Sequence, residues 1–118
     1  MPRPRKCRLV RNQPLIGFFK PHGVPLAELR GVVLPVEGLE ALRLADAAGL
    51  DHETAASLMG VSRPTFSRIL AEARATVARA LVNGWAIRIE GGDFAVAAEP
   101  EVIPPGRGRR GFRRGWRF

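Results

Sequence analysis

The sequence predicts a mainly α fold: a helix-turn-helix bundle of three to four helices, a C-terminal β-hairpin that is wing-like, and basic flexible termini. Three observations predict it. Two segments of helical period, "HETAASLM" and "SRPTFSRILAEARATVARALV", are broken by the single Gly60. Further on, "WAIRIEGGDFAV" alternates Ile87 and Ile89 against Arg88 and Glu90, with Gly91-Gly92 suited to a two-residue turn. The cations, finally, are segregated to the two ends.

That segregation is sharper than the formal charge of +8 suggests. Residues 1–11 hold Arg3, Arg5, Lys6, Arg8 and Arg11 and no acid. Residues 102–118 hold Arg107, Arg109, Arg110, Arg113, Arg114 and Arg117, again with no acid. The stretch between carries 8 basic and 11 acidic side chains, so the middle is mildly acidic. Coding bias accounts for arginine over lysine but not for placement at the ends. Basic ends of this kind engage polyanions.

With 118 residues the chain is one domain's worth, enough for a modest core. No apolar run approaches the roughly 18 residues of a membrane span, and no signal-like segment follows the basic start. Cys7 is the only cysteine, so no intrachain disulfide can form, which fits a reducing, cytoplasmic setting. Cys7, His22 and His52 lack metal-ligand spacing, and no metal or other cofactor is expected. No catalytic triad context and no phosphate-binding glycine loop occurs, so an enzyme is not expected.

Taken in order, residues 1–25 contain Pro2, Pro4, Pro14, Pro21 and Pro25, too many for a continuous helix. They read as a basic extended arm, with a short strand near Leu9-Val10. The domain proper is expected over residues 26–99. There "PLAELRGVVL" offers one helical turn ended by Gly31, then an apolar stretch. "VEGLEALRLADAAGL" places Leu39, Leu42, Ala45 and Ala48 at helical period, and Gly49 suits a left-handed C-cap. Asp51 is a good N-cap for a second helix, which Gly60 ends. Ser62 then starts the longest helix, reaching about Val82 before Asn83-Gly84, with Phe66, Ile69, Leu70, Ala73, Val77 and Leu81 as its apolar stripe. The hairpin is expected at about 86–97, and residues 100–118 read as an Arg/Gly-rich disordered tail.

The chemistry concentrates at the turn. Ala55, Ala56, Met59, Val61, Phe66 and Ile69 are apolar where two helices must face each other, and Ala56 is small enough for close crossing. Ser62, Arg63, Pro64, Ser67, Arg68 and Ala71 are left for the outer side and form a candidate DNA-binding set. Arginine can bond both acceptors of guanine, and small hydroxyls reach bases or phosphates. The amide donors at the start of this helix suit a phosphate. Pro64 belongs in the first turn, where helix amides lack carbonyl partners. With Ser62 as cap, its hydroxyl must serve Thr65, because Pro64 has no amide hydrogen. Pro64 either fixes the helix start alone or also touches a thymine methyl. Candidate phosphate contacts are Arg3, Arg5, Lys6, Arg8, Arg74 and Arg88. A plain helical hairpin in an all-α core is the competing structural reading.

"RPRKCR", "FFKPHGVPLAEL", "EALRLAD", "AASLMGVSRPTFSRIL" and "ALVNGWAIRIEGG", in that order, resemble uncharacterised protein family 0251, domain of unknown function 134. The resemblance covers about residues 2–96. It implies a DNA-binding protein whose central motif is similar to the helix-turn-helix of sigma-factor region 4, acting through Ser62, Arg63, Thr65, Ser67 and Arg68. Some relatives carry a dinitrogenase iron-molybdenum cofactor-type domain downstream, for which this chain is too short. Pro35 and Gly38 depart from the expected pattern, weakening the start of the first helix, and the arginine tail lies outside the resemblance.

Other features have two readings each. The N-terminal arm either lies along phosphates or the minor groove, or is simply solvated. The hairpin is a wing presenting Arg88, or a cover for the core or a pairing edge for another subunit. In "GRGRRGFRRGWRF" residues 107–118 interleave cations with Phe112, Trp116 and Phe118, which suits RNA or single strands, or a non-specific electrostatic tether. Cys7 among cations is either a reactive thiol or an ordinary free one. The expected function is sequence-specific binding of double-stranded DNA in transcriptional regulation, by a homodimer, because one short helix seldom specifies a site alone. The alternatives are an RNA-binding or ribosome-associated protein acting through its arginine-rich ends, and a sigma-like protein-interaction module.

Overall fold

A computed structural model describes residues 7–92 and 94–96. In chain order these form β1 (Arg8–Val10), β2 (Phe18–Phe19), a single 3-10 turn (Leu26–Glu28), β3 (Gly31–Leu34), α1 (Val36–Leu42), α2 (His52–Met59), α3 (Arg63–Asn83), β4 (Ala86–Ile89) and β5 (Phe94–Val96). The architecture is mixed: three helices with two small sheets. The expectations for Arg3, Arg5, Lys6 and the tail from residue 97 onward lie outside the described residues.

α1 continues directly into a π-helical turn, Arg43–Ala47. There the Ala48 amide reaches back five residues to the Arg43 carbonyl at 2.7 Å. The Leu50 amide then bonds the Leu44 carbonyl at 3.0 Å across Gly49, whose φ is 74°, so the expected left-handed closure forms. The inserted residue shifts the helix's phase from the π turn onward. Leu39, Leu42, Ala45 and Ala48, expected as the buried stripe, are only half-buried, while Val36, Ala41 and Leu44 are fully inside.

The two irregularities of this helix have tertiary reasons. Pro35 offers no side-chain cap, yet the Val36 amide is satisfied from outside by the Gly91 carbonyl at 3.0 Å. Gly38 sits where a Cβ would lie 3.0 Å from Leu34 Cδ1 and 3.3 Å from the Ala73 methyl. A glycine there lets α1 approach α3 and β3 closely, at the ordinary cost in helix propensity. Glu40, buried beside it, accepts the Arg11 amide at 3.1 Å and both Nε and Nη2 of Arg43, at 2.9 and 2.8 Å. One carboxylate thus ties the end of β1 to α1.

The C-terminal β-hairpin is present as β4 and β5, turning through Gly91 and Gly92 at φ 74° and 101°. Its ladders differ from those expected. β4 is the centre of a three-stranded sheet ordered β2-β4-β3, antiparallel to β2 and parallel to β3. β5 instead pairs in parallel with β1, Arg8 opposite Phe94 and Val10 opposite Val96. Two stretches of the expected extended arm therefore lie inside the fold from Arg8 onward. The reason is packing: Val10 is buried in one apolar cluster with Leu34, Val36, Ala73 and Ile89.

A second cluster joins the helices: Ala41, Leu44, Leu50, Ala55, Ala56, Met59, Phe66, Ile69 and Leu70. α3 contributes to both clusters and is the spine of the molecule. Its expected stripe holds through Ala73 and half-buried Val77. At the last turn Ala80 is buried in place of Leu81, which is 74% exposed. Positions three and four after Val77 compete for the inward side, and the smaller one takes it because the sheet comes close there.

Candidate nucleic-acid interface

The candidate surface is built by two caps and one glycine. Asp51 has extended backbone and its carboxylate accepts the Thr54 amide at 2.7 Å, starting α2. Gly60 ends that helix at φ 69°, a conformation that a side chain opposes. Its amide bonds the Ser57 carbonyl at 3.1 Å, and the Val61 amide bonds Ala56 at 3.0 Å. Ser62 then caps α3: its hydroxyl accepts the Thr65 amide at 3.3 Å and donates to Thr65 Oγ1 at 3.0 Å. Pro64 occupies the first turn, as its missing amide hydrogen requires. Behind the turn, Ala55, Ala56, Met59, Phe66 and Ile69 are buried against one another, and Val61 packs on them half-buried.

This leaves Ser62, Arg63, Pro64, Arg68 and Ala71 exposed on the outer side of α3. Thr65 and Ser67 are half-buried. Thr65 is engaged by the Ser62 cap, and Ser67 Oγ lies 3.0 Å from Nδ1 of His52. Glu72, also exposed, puts an acid one turn beyond Arg68. Arg68, Ser62 and Thr65 line a surface recess of about 410 Å³ together with Gly60, Val61 and Arg8. The recess brings an arginine of β1 beside the start of α3.

The expected phosphate contacts divide on inspection. Arg8 is not an exposed arm residue: it is 6% exposed, because β1 runs beneath the α2–α3 turn. Arg74 is already partnered. Its Nε and Nη2 reach the Asp46 carboxylate at 3.1 and 2.6 Å, a two-pronged ion pair on the surface. That hydrogen bond holds the Asp46 carboxyl below the usual carboxylate range, with the charges of Arg74 and His52 adding to it against a partial burial. Arg88 lies elsewhere, on the outer side of β4 with its guanidinium 5.5 Å from the Phe18 ring centre. It lines a separate recess of about 360 Å³ with Arg30, Leu26 and Val33.

Sequence reasoning missed His52. Its position one residue after the Asp51 cap was legible, but its contact with a residue 15 positions later depends on the helix crossing. Among the described residues no group of three His, Cys, Asp or Glu side chains could hold a metal ion, and Cys7 is exposed. No helix of the described residues is long and apolar enough to cross a membrane.

Comparison with known proteins sets this geometry in a family. Residues 1–97 match the family described as protein of unknown function DUF134. The chain is similar to a UPF0251 protein of Rhodospirillum rubrum, 57% identical over 113 residues, covering 94% of this chain and 79% of the relative. A UPF0251 protein of Thermoanaerobacter sp. is 55% identical over 113 residues, 96% of each chain. Another, from Moorella thermoacetica, is 62% identical over 94 residues, 80% of this chain and 63% of the relative. No solved structure matches the chain significantly.

Proposed function

This chain belongs to the DUF134 family, and on the geometry of its turn we propose that it binds double-stranded DNA sequence-specifically, as a transcriptional regulator. In this reading α2 and α3 form a helix-turn-helix within a small helix bundle, and α3 is the helix that enters the major groove. One observation carries it: the first two turns of α3 are exposed on one side and locked into the core on the other. Exposed Arg63 and Arg68 then stand beside a recess lined by Arg8 and the Ser62 hydroxyl.

Each part has a role in the reading. Arg68, in the second turn, is the base reader, able to meet the two acceptors of guanine. The α3 amino terminus receives a backbone phosphate at the recess, which sets the register of the helix on the duplex. Pro64 and Ala71 supply small apolar contacts. The termini add sequence-independent phosphate attraction. Arg74, spent on Asp46, contributes little.

A homodimer completes the reading, since one such helix rarely specifies a site. The far end of α3 supports it: Leu81 and Phe19, both exposed, line a recess of about 220 Å³ with Trp85 and Ile87, and Val82 is exposed next to Leu81. Sedimentation of the intact chain tests this part by itself.

The decisive experiment selects from a random duplex library with the intact chain, with Arg68→Ala and with residues 102–118 deleted. The deletion is expected to weaken affinity and flatten its salt dependence while leaving sequence preference intact. Arg68→Ala is expected to erode preference. Preference that disappears with the tail, or a stronger yield from structured RNA than from duplex, would transfer the function to the arginine-rich end.

A further inference from the structure

The first residue of α2 and the second turn of α3 are joined by one polar contact, His52 Nδ1 to Ser67 Oγ at 3.0 Å. The imidazole is braced from the core side: its ring meets Phe66 edge to face, centres 5.4 Å apart at 68°. Phe66 is fully buried in the helical cluster. Ser67 itself stays half-exposed on the helix proposed to read DNA.

A serine hydroxyl has one hydrogen to give. Neutral imidazole protonated at Nε2 presents a lone pair at Nδ1. Ser67 then donates inward, and only its oxygen lone pairs face out. Imidazole bearing a hydrogen at Nδ1, as every imidazolium does, donates to Oγ instead. The Ser67 hydrogen is then free for an outside acceptor.

We propose that His52 is a specificity-determining residue, setting whether Ser67 offers duplex DNA a hydrogen-bond donor or an acceptor. The proposal rests on the reading of α3 given above. Guanine O6 and N7 and thymine O4 accept, whereas adenine N6 and cytosine N4 donate. The two states of His52 therefore favour different bases at a single position of the site. Imidazole exists as two neutral tautomers and a doubly protonated form, so both directions of the contact are open to this pair. The charged groups near the pair include Asp46, within electrostatic reach of His52 and itself bound to Arg74, the α2 neighbours Asp51 and Glu53, and Arg63 and Arg68 on α3. Ser67→Ala takes away the hydroxyl and leaves these charges in place. Removing that hydroxyl thus separates the relay from the charge of the ring.

The test compares the intact chain with Ser67→Ala and His52→Phe, the latter keeping an aromatic edge against Phe66 without a polar atom. Each is used to select duplexes at about pH 6 and about pH 8, on either side of ordinary histidine titration. The intact chain is expected to change its preference between acceptor-bearing and amine-bearing bases at one position by roughly three- to tenfold, the span of one hydrogen bond. Both variants are expected to hold one preference there at both pH values. Nitrogen NMR of the imidazole in the free protein should also show the Nδ1 signal moving on Ser67→Ala. A pH shift that persists in Ser67→Ala assigns the effect to ring charge alone and overturns the proposal, as does a pH-independent intact chain. Absence of duplex selection by the intact chain at both pH values overturns the DNA reading itself, and is recognisable because the variants then fail alike.

Discussion

The two ends of α3 make opposite use of one helix. Over 21 residues, roughly 30 Å at 1.5 Å per residue, it passes from a capped, polar start to an apolar finish. At the start, Phe66, Ile69 and Leu70 are buried against α2 and the end of α1, and what faces outward is charged or hydroxylated. At the finish, only Ala80 is buried, while Leu81 and Val82 are 74% and 83% exposed. A helix that must present side chains to a ligand has to be held rigidly from behind, and large buried residues supply that. A helix end that leaves leucine and valine in water has a surface to offer another protein, or none to protect.

Substitutions can break this contrast, beginning with the largest effect. Phe66→Ala empties the centre of the helical cluster and is expected to cost about 3–5 kcal/mol of unfolding free energy. The matching change at the other end, Leu81→Ala, is expected to stay within about 0.5 kcal/mol in the same denaturant titration. Equal losses would mean that the finish is as packed as the start.

Next comes function. Arg68→Ala is expected to reduce discrimination between preferred and altered duplexes by about 1–3 kcal/mol, read by competition binding. Arg79→Ala removes another exposed arginine, near the finish, and should leave discrimination unchanged. Matching losses would show that charge, and not position on α3, governs binding. Smaller again is the cap: Ser62→Ala should lower stability by about 1 kcal/mol, since it orphans the Thr65 amide. Melting that is unchanged would show that Thr65 finds another partner.

The smallest effect concerns the joint between α3 and the π turn. Asp46 is held below the ordinary carboxylate range by Arg74, so the pair's contribution is complete above that range and is lost as pH falls through the folded-state value. Arg74 is shifted upward by the same contact and stays charged throughout, so protonation of Asp46 alone removes the pair. Both side chains are substantially exposed, which limits the pair to under about 1 kcal/mol. The stability difference between the intact chain and Arg74→Met should therefore be small at neutral pH and vanish in acid. A difference that grows on acidification would contradict the assigned direction.

Local chemistry determined much of this protein from the sequence alone. The caps Asp51 and Ser62, the breaks at Gly49, Gly60 and Gly84, and the placement of Pro64 each depend on a few neighbouring atoms, and all stand where residue types put them. So does the apolar face between α2 and α3, because helical period is a local property. Tertiary structure decided what lies far apart in the chain. It threaded Arg8–Val10 and Phe18–Phe19 into the sheets, buried Arg8 under the turn, bound Arg74 to Asp46, gave Gly38 its reason and set His52 against Ser67. Those contacts join positions 15 to more than 80 residues apart in sequence. Only burial of the shared core brings such pairs together, and no residue's own propensity records which partner it will meet.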